Sequence, residues 1–194
     1  MASVKRLCVY CGSSSRVDAI YRDAARTLGS ILAAAGIELI YGGGRVGLMG
    51  ILADAVLAGG GRVTGIIPAH LHDAEVGHHG ISELLVVGSM HERKRLMFER
   101  SDAFVALPGG LGTLDETFEI LTWKQLRLHD KPIVIVDVGG YWRKLLALID
   151  QIVDEGFAAP GILGHFQTVE RVEDVLPAIS AAPTPALAPE PRLV

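Results

Sequence analysis

Residues 104–116 read Phe-Val-Ala-Leu-Pro-Gly-Gly-Leu-Gly-Thr-Leu-Asp-Glu: an apolar run, a glycine-rich turn and the start of a helix-length segment. A short apolar run bounded by Pro and Gly is typical of a strand buried on both faces of a sheet. The same succession recurs along the chain, which predicts parallel strands joined by crossover helices. The fold class is therefore α/β: a doubly wound, Rossmann-like, mainly parallel sheet flanked by helices in a single domain.

The predicted strands of this sheet are the apolar runs at 7–11, 38–41, 63–67, 84–87, 104–107 and 133–136. The predicted helices lie between and after them at 19–35, 47–58, 90–101, 113–126 and 142–155, before a last strand at 167–169 and a short helix at 172–179. Residues 1–180 form the predicted domain. The stretch 181–194 is rich in Pro and Ala with little to bury, so we expect it to be disordered.

Composition and charge exclude several classes of protein. The 194 residues carry a net charge of −4 and no extended run of Lys and Arg, which argues against nucleic-acid binding. No apolar run approaches the roughly 20 residues of a membrane span, and the first apolar run is too short for a signal peptide, so we expect a cytoplasmic protein. Cys8 and Cys11 lie three apart on a predicted strand and therefore point to opposite faces, which excludes a shared metal or disulfide.

Glycine-rich turns follow three of the predicted strands, at 11–15, 42–50 and 108–113. In a doubly wound sheet ligands bind at the carboxyl ends of the strands, and the last two turns also open onto a helix N-terminus, which favours anions. One such turn alone could be only a tight connection. Three of them favour a phosphate site, with Gly43 and Gly44 among its candidates. Neither a P-loop nor a ribose-binding acid accompanies them, so a mononucleotide fits better than ATP or NAD.

Two carboxylates and a cationic helix face stand beside the third turn. Asp115 and Glu116 fall in the first turn of the predicted helix 113–126, where stabilisation of the helix N-terminus suffices to explain Asp115. Glu116 is placed to stabilise oxocarbenium charge or activate water, as cleavage at an anomeric carbon requires. Arg93 and Lys94 share a helical face with Met90 and Met97. A cation on an apolar face needs an anionic partner, and the forked guanidinium of Arg93 is the better candidate.

The loop at 70–79 holds four of the seven histidines: His70, His72, His78 and His79. Their spacing matches no helical His-x-x-x-His pattern, so we predict no metal site there. Glu75 of this loop is a candidate ligand contact, because a loop after the third strand overhangs the binding edge of the sheet.

The motifs Met90-His91-Glu92-Arg93-Lys94 and 108–116, together with the glycine turn at 42–50, resemble the LOG ("lonely guy") family over roughly residues 5–180. The resemblance implies a Rossmann-like homodimer, or an oligomer of dimers, that needs no cofactor. It implies hydrolysis of the N-glycosidic bond of adenosine 5'-monophosphate, plain or N6-modified, to the free base and ribose 5-phosphate.

The resemblance also implies roles for individual residues. Arg93 and Glu116 correspond to the catalytic pair. The loop that holds phosphate and ribose comprises Gly109, Gly110, Gly112 and Thr113. Further substrate contacts correspond to Lys94, Glu75 and Thr122, and Asp115 is kept as a substrate-binding candidate beside its helix-stabilising explanation.

Two alternatives share this fold. Members of the family once carried a lysine decarboxylase label, and a pyridoxal-phosphate enzyme would use Lys94 to form an imine. A non-catalytic carrier of a nucleotide or cofactor, like relatives that bind molybdenum cofactor, is the second alternative, because function resides in the site and not in the scaffold. The presence of both Arg93 and Glu116 favours hydrolysis.

Overall fold

A computed structural model describes residues 4–72 and 77–183 of the chain and contains one seven-stranded sheet. Its strands are β1 (Arg6–Tyr10), β2 (Glu38–Tyr41), β3 (Val63–Pro68), β4 (Glu83–Val87), β5 (Ala103–Ala106), β6 (Ile133–Val136) and β7 (Gln167–Val169). Neighbouring strands are parallel throughout, in the order β4-β3-β2-β1-β5-β6-β7. The predicted doubly wound α/β fold is confirmed, and no predicted strand end is displaced by more than one residue.

The helices are α1 (Ala19–Ala34), α2 (Gly47–Ala58), α3 (Ala69–Leu71), α4 (Met90–Glu99), α5 (Leu111–Gln125), α6 (Arg143–Asp154) and α7 (Val175–Ala181). One face of the sheet packs against α1, α2 and α7, whose apolar side chains share a core with alternate residues of the central strands. The other face packs against α4, α5 and α6. Of the predicted tail 181–194, Ala181 is the last residue of α7 and Ala182 its C-cap, and residues 184–194 lie outside the described residues.

The central strand β1 shows the alternation that separates the two cores. Leu7 and Val9 belong to the core under α1 and α2, whereas Cys8 and Tyr10 belong to the core under α4 and α5. Cys11, just after the strand, joins the first core, so the two cysteines lie on opposite faces as predicted and both are free. Burial raises the pKa of the Cys8 thiol to about 12, so it stays a protonated core residue.

Strand β4 departs from the expectation of burial on both faces. It lies at the edge of the sheet, and most of its side chains are only partly covered, with Val86 half-exposed. The apolar composition of 84–87 therefore does not reflect full burial. An edge position is a property of strand order, which composition does not encode.

Helix α5 begins at Leu111, two residues before its predicted start, with Gly110 as its N-cap. Asp115 and Glu116 therefore lie in the second turn, and the prediction that they occupy the first turn is wrong. Glycine is weak in helix interiors but adopts helical angles freely, so Gly112 does not delay the helix as its place in a glycine-rich turn suggested. The first turn carries no acidic side chain.

Candidate active site

The turns after β1, β2 and β5 meet where the winding of the sheet reverses, between β1 and β5. The Gly12 amide donates to the Pro108 carbonyl at 3.1 Å, and the Leu48 amide of α2 donates to the Gly12 carbonyl at 2.9 Å. A Cβ at Gly109 would overlap the Thr113 side chain and come within 2.9 Å of the Gly12 amide nitrogen. Glycine at 109 is therefore a packing requirement, and the crevice lies at the switch point, where doubly wound folds bind ligands.

Helix α5 begins directly beside this junction of turns. The first amides of a helix have no partner inside it, and its dipole favours negative charge at that end. Within the described residues, a Cβ on Gly110 or Gly112 would meet nothing within 4 Å, so space remains open beside the turn. Thr113 is buried, and its carbonyl accepts a 2.7 Å hydrogen bond from the Thr117 hydroxyl. The stretch 109–113 thus combines a helix N-terminus with open space beside it, two features that anion sites share.

Arg93 of α4 and Glu116 of α5 form a buried ion pair next to this turn. Arg93 Nη1 donates to Glu116 Oε1 at 2.7 Å, and Arg93 Nε donates to the Ile66 carbonyl of β3 at 3.1 Å. The residues are only 9% and 7% exposed. The predicted anionic partner of Arg93 is thus a carboxylate of the chain itself.

Gly42 makes room for this pair and was not among the site residues predicted from the sequence. A Cβ at this position would overlap Nη2 of Arg93. The only signal in the sequence was its place at the head of the glycine triplet 42–44. The overlap arises because α4 packs against β3 and β4, from where the Arg93 side chain extends to the residue after β2.

Burial of the Arg93–Glu116 pair is unfavourable in free energy. Burial raises the pKa of Glu116 above the ordinary glutamate value, and the neighbouring Arg93 offsets only part of that effect. Removing two charges from water costs several kcal/mol per ion before their attraction is counted. A carboxylate with a raised pKa in a cleft is typical of acid–base sites.

Lys94 is held by two carboxylates of α5. Its Nζ lies 3.1 Å from Asp115 Oδ2 and 3.0 Å from Glu119 Oε1, and its side chain is largely buried. Burial alone would lower the pKa of Lys94, but hydrogen bonds to Glu119 and Asp115 outweigh burial and raise it. Sequence reasoning missed Glu119, although its i,i+4 spacing from Asp115 marks a shared face.

Gly43 and Gly44 follow Gly42 directly, whereas Thr122 lies towards the other end of α5. Gly44 forms an isolated bridge with Gly77, and the Gly43 carbonyl accepts the His78 amide at 2.9 Å, so this turn is braced by the end of the loop 70–79. Thr122 is exposed near the C-terminal end of α5, about 13 Å along the axis from Thr113. Within one chain it does not reach the crevice.

Glu75 lies outside the described residues. Elsewhere in the loop 70–79, His78 Nε2 pairs with Asp54 Oδ1 at 2.9 Å, and the His72 ring stacks edge-on against His79. Over 4–72 and 77–183, no cluster of three or more His, Cys, Asp or Glu residues is arranged to hold a metal ion. In the same ranges, no helix has the length and apolar character to cross a membrane.

The fold and the site define a doubly wound α/β protein in which a glycine-rich turn opens a helix beside a buried arginine–glutamate pair. The sequence model of a family described as "Possible lysine decarboxylase" matches residues 49–179. The cytokinin riboside 5'-monophosphate phosphoribohydrolase LOG1 of Arabidopsis thaliana is 49% identical over 181 residues, which cover 89% of this chain and 84% of the relative. The chain belongs to this family, the LOG family, and the resemblance drawn from its motifs is confirmed.

Two further similarities place the chain more broadly. A protein of Oryza sativa subsp. japonica named "Probable cytokinin riboside 5'-monophosphate phosphoribohydrolase LOGL9" is 53% identical over 156 residues, covering 80% of this chain and 69% of the relative. The solved structure of a molybdenum cofactor binding protein from Rippkaea orientalis has a TM-score of 0.70 at 20% identity, covering 93% of this chain and 98% of the other. The second similarity concerns the fold alone.

Proposed function

We propose that this chain hydrolyses the N-glycosidic bond of adenosine 5'-monophosphates, plain or N6-modified, to the free base and ribose 5-phosphate. The observation that carries the proposal is the buried pair of Arg93 and Glu116 beside the anion-receiving turn 109–113. The names of relatives about half identical to the chain support the same reaction.

The proposed mechanism begins with the phosphate. Amides of the stretch 109–113 bind the 5'-phosphate, which holds the anomeric carbon in place and turns hydrolysis into a positioned reaction. Water adds to that carbon as the bond to the base nitrogen breaks, and the departing base takes up a proton. Glu116 orients this water or stabilises the oxocarbenium-like ribose, and Arg93 holds the carboxylate in place.

Further substrate contacts are proposed on the same surface. Lys94 and Asp115 add a second ion pair near Glu116, and Gly43 and Gly44 lie in the turn after β2. Glu75 and Thr122 complete the set proposed from the family motifs.

A homodimer would cover the exposed side of α5. Leu111 is 84% exposed, and Leu126, just after the helix, is 62% exposed. Helical spacing puts both on one side with Asp115 and Thr122, within about 60° of arc. The two exposed leucines at opposite ends of this side support a second copy as its occupant, and light scattering of the purified protein tests it. We also propose a cytoplasmic location, which cell fractionation of the tagged protein checks.

The site argues against the pyridoxal-phosphate enzyme and against the non-catalytic carrier for different reasons. An imine-forming lysine needs a neutral amine, whereas two carboxylates keep Lys94 protonated. The carrier alternative shares the fold, but binding alone does not require the cost of burying Arg93 with Glu116.

Base release measured by chromatography tests the function. We expect release from N6-isopentenyl-AMP and AMP and none from the matching ribosides. Faster release from the isopentenyl compound would mark cytokinin activation, and equal rates would mark a general AMP nucleosidase. AMP binding without any release would favour the carrier and overturn the proposal.

A further inference from the structure

Tyr141 reaches the phosphate turn from a different loop. It follows the short 3-10 turn Val138–Gly140 after β6, and its hydroxyl donates a 2.6 Å hydrogen bond to the Gly109 carbonyl. Thirty-two residues separate the two in sequence. The contact joins the loop after β6 to the stretch 109–113.

The ring that carries this hydroxyl is 42% exposed and contacts two other aromatic rings. It meets the Tyr21 ring of α1 edge-on at 5.5 Å and the Trp142 ring at 4.7 Å. Trp142 is itself buried, and its amide donates to Asp137 at 2.6 Å. Gly139 and Gly140 both have positive φ, which lets the chain turn sharply enough to present the ring. These contacts restrict the positions that the hydroxyl can take.

Holding the Gly109 carbonyl also fixes the next amide. A trans peptide is planar, so the carbonyl of Gly109 and the N–H of Gly110 point in opposite directions. Glycines on both sides would otherwise let this peptide rotate with little steric resistance. Gly110 is the N-cap of α5, where amides free to bind an anion converge. The Tyr141 hydroxyl thus sets the direction of one of those amides.

We propose that Tyr141 is a positioning residue for the substrate's 5'-phosphate. Its hydroxyl locks the peptide between Gly109 and Gly110 so that the Gly110 amide faces the anion before the ligand arrives. A turn ordered in advance binds more tightly because binding no longer costs the ordering of the loop. The inference rests on the proposed function, since it assigns the phosphate of that substrate to this turn.

The test compares Tyr141→Phe with Tyr21→Phe. The first change removes the hydroxyl and keeps the ring with its edge-on contacts. The second removes a hydroxyl from the neighbouring ring and leaves the bond to Gly109 intact, so it is the matched control. Titration calorimetry measures the affinity of each protein for ribose 5-phosphate, AMP and adenosine, and thermal unfolding shows that each is folded.

For Tyr141→Phe we expect affinity for AMP and ribose 5-phosphate to fall roughly three- to tenfold, as for loss of one neutral hydrogen bond, with adenosine affinity unchanged. Hydrogen exchange at the Gly110 amide should be faster. A purely structural role would instead weaken AMP and adenosine equally, or neither, and either result overturns the proposal. So does a native protein that fails to bind ribose 5-phosphate.

This outcome is separable from that of the proposed function. If the native protein binds AMP without releasing adenine, the hydrolase proposal fails. The comparison of phosphate-bearing and phosphate-free ligands then still tests Tyr141 through binding alone.

Discussion

Arg93 and Glu116 come from two different helices, 23 residues apart in sequence, and meet through a 2.7 Å hydrogen bond inside the protein. The second anchor of Arg93 is the Ile66 carbonyl, so the guanidinium is fixed from two sides. Glu116 has a defined position as a result, and its carboxylate stands beside the turn 109–113. A preorganised charge of this kind is what stabilises charge that develops during a reaction.

Glu116→Gln should abolish turnover while AMP still binds. The amide keeps the shape of the side chain but loses the charge that would orient water or balance the ribose cation, so the rate should fall about 10²- to 10⁴-fold. Base release and AMP calorimetry measure the two effects. Glu99→Gln removes an exposed carboxylate that pairs with Arg95 and is the control. Full activity of Glu116→Gln would contradict the assignment.

Breaking the buried pair should cost more stability than removing it whole. Arg93→Met leaves Glu116 without its cation, and we expect a loss of about 3–5 kcal/mol in the free energy of unfolding. The double variant Arg93→Met/Glu116→Leu should recover most of that loss, because no charge remains buried. Urea denaturation of both variants measures the difference. A double variant less stable than Arg93→Met would refute this account, and neither variant should release base.

Gly42→Ala should impair activity through Arg93. The new methyl group would overlap Arg93 Nη2, so the guanidinium must shift and Glu116 loses its anchor. We expect base release to fall at least tenfold, as small displacements of reacting groups have large kinetic cost. The matched control is Gly161→Ala, whose methyl would meet nothing within 4 Å among the described residues. Equal activity of both variants would show that Arg93 tolerates displacement.

The stability of the protein should fall on acidification through His129. Its Nε2 donates to the Ile120 carbonyl at 2.8 Å and its Nδ1 accepts the Lys131 amide at 3.2 Å, so the native ring is neutral. Burial lowers the pKa of His129 from 6.5 to about 4. The unfolded chain therefore takes up the proton first as pH falls, and stability present above pH 6.5 is lost progressively towards about pH 4.

Urea unfolding of the native protein and of His129→Gln at pH 7 and pH 4.5 measures this loss. The native protein should lose more stability between the two pH values than the variant, because only the native protein has this histidine to protonate. An identical pH dependence in both proteins would assign the loss to other groups.

Local patterns in the sequence determined much of the architecture. Apolar runs, glycine turns and helix-length segments located every strand of the sheet to within a residue, because strands of a buried parallel sheet are continuous apolar runs. Alternation along β1 separated Cys8 from Cys11. A cation on an apolar helix face requires an anion, which predicted a partner for Arg93. The order of the motifs identified the family.

Only the tertiary structure decided which distant groups touch. The Ile66 carbonyl holds Arg93, Gly42 makes room for it, and Tyr141 reaches Gly109 across 32 residues. These contacts arise because the strand order places β5 next to β1, and because α4 packs against β3 and β4 with Arg93 extending to the end of β2. No local pattern carries strand order. Local sequence specifies each element through its own propensities and periodicity, whereas an active site is made where elements remote in sequence are packed together.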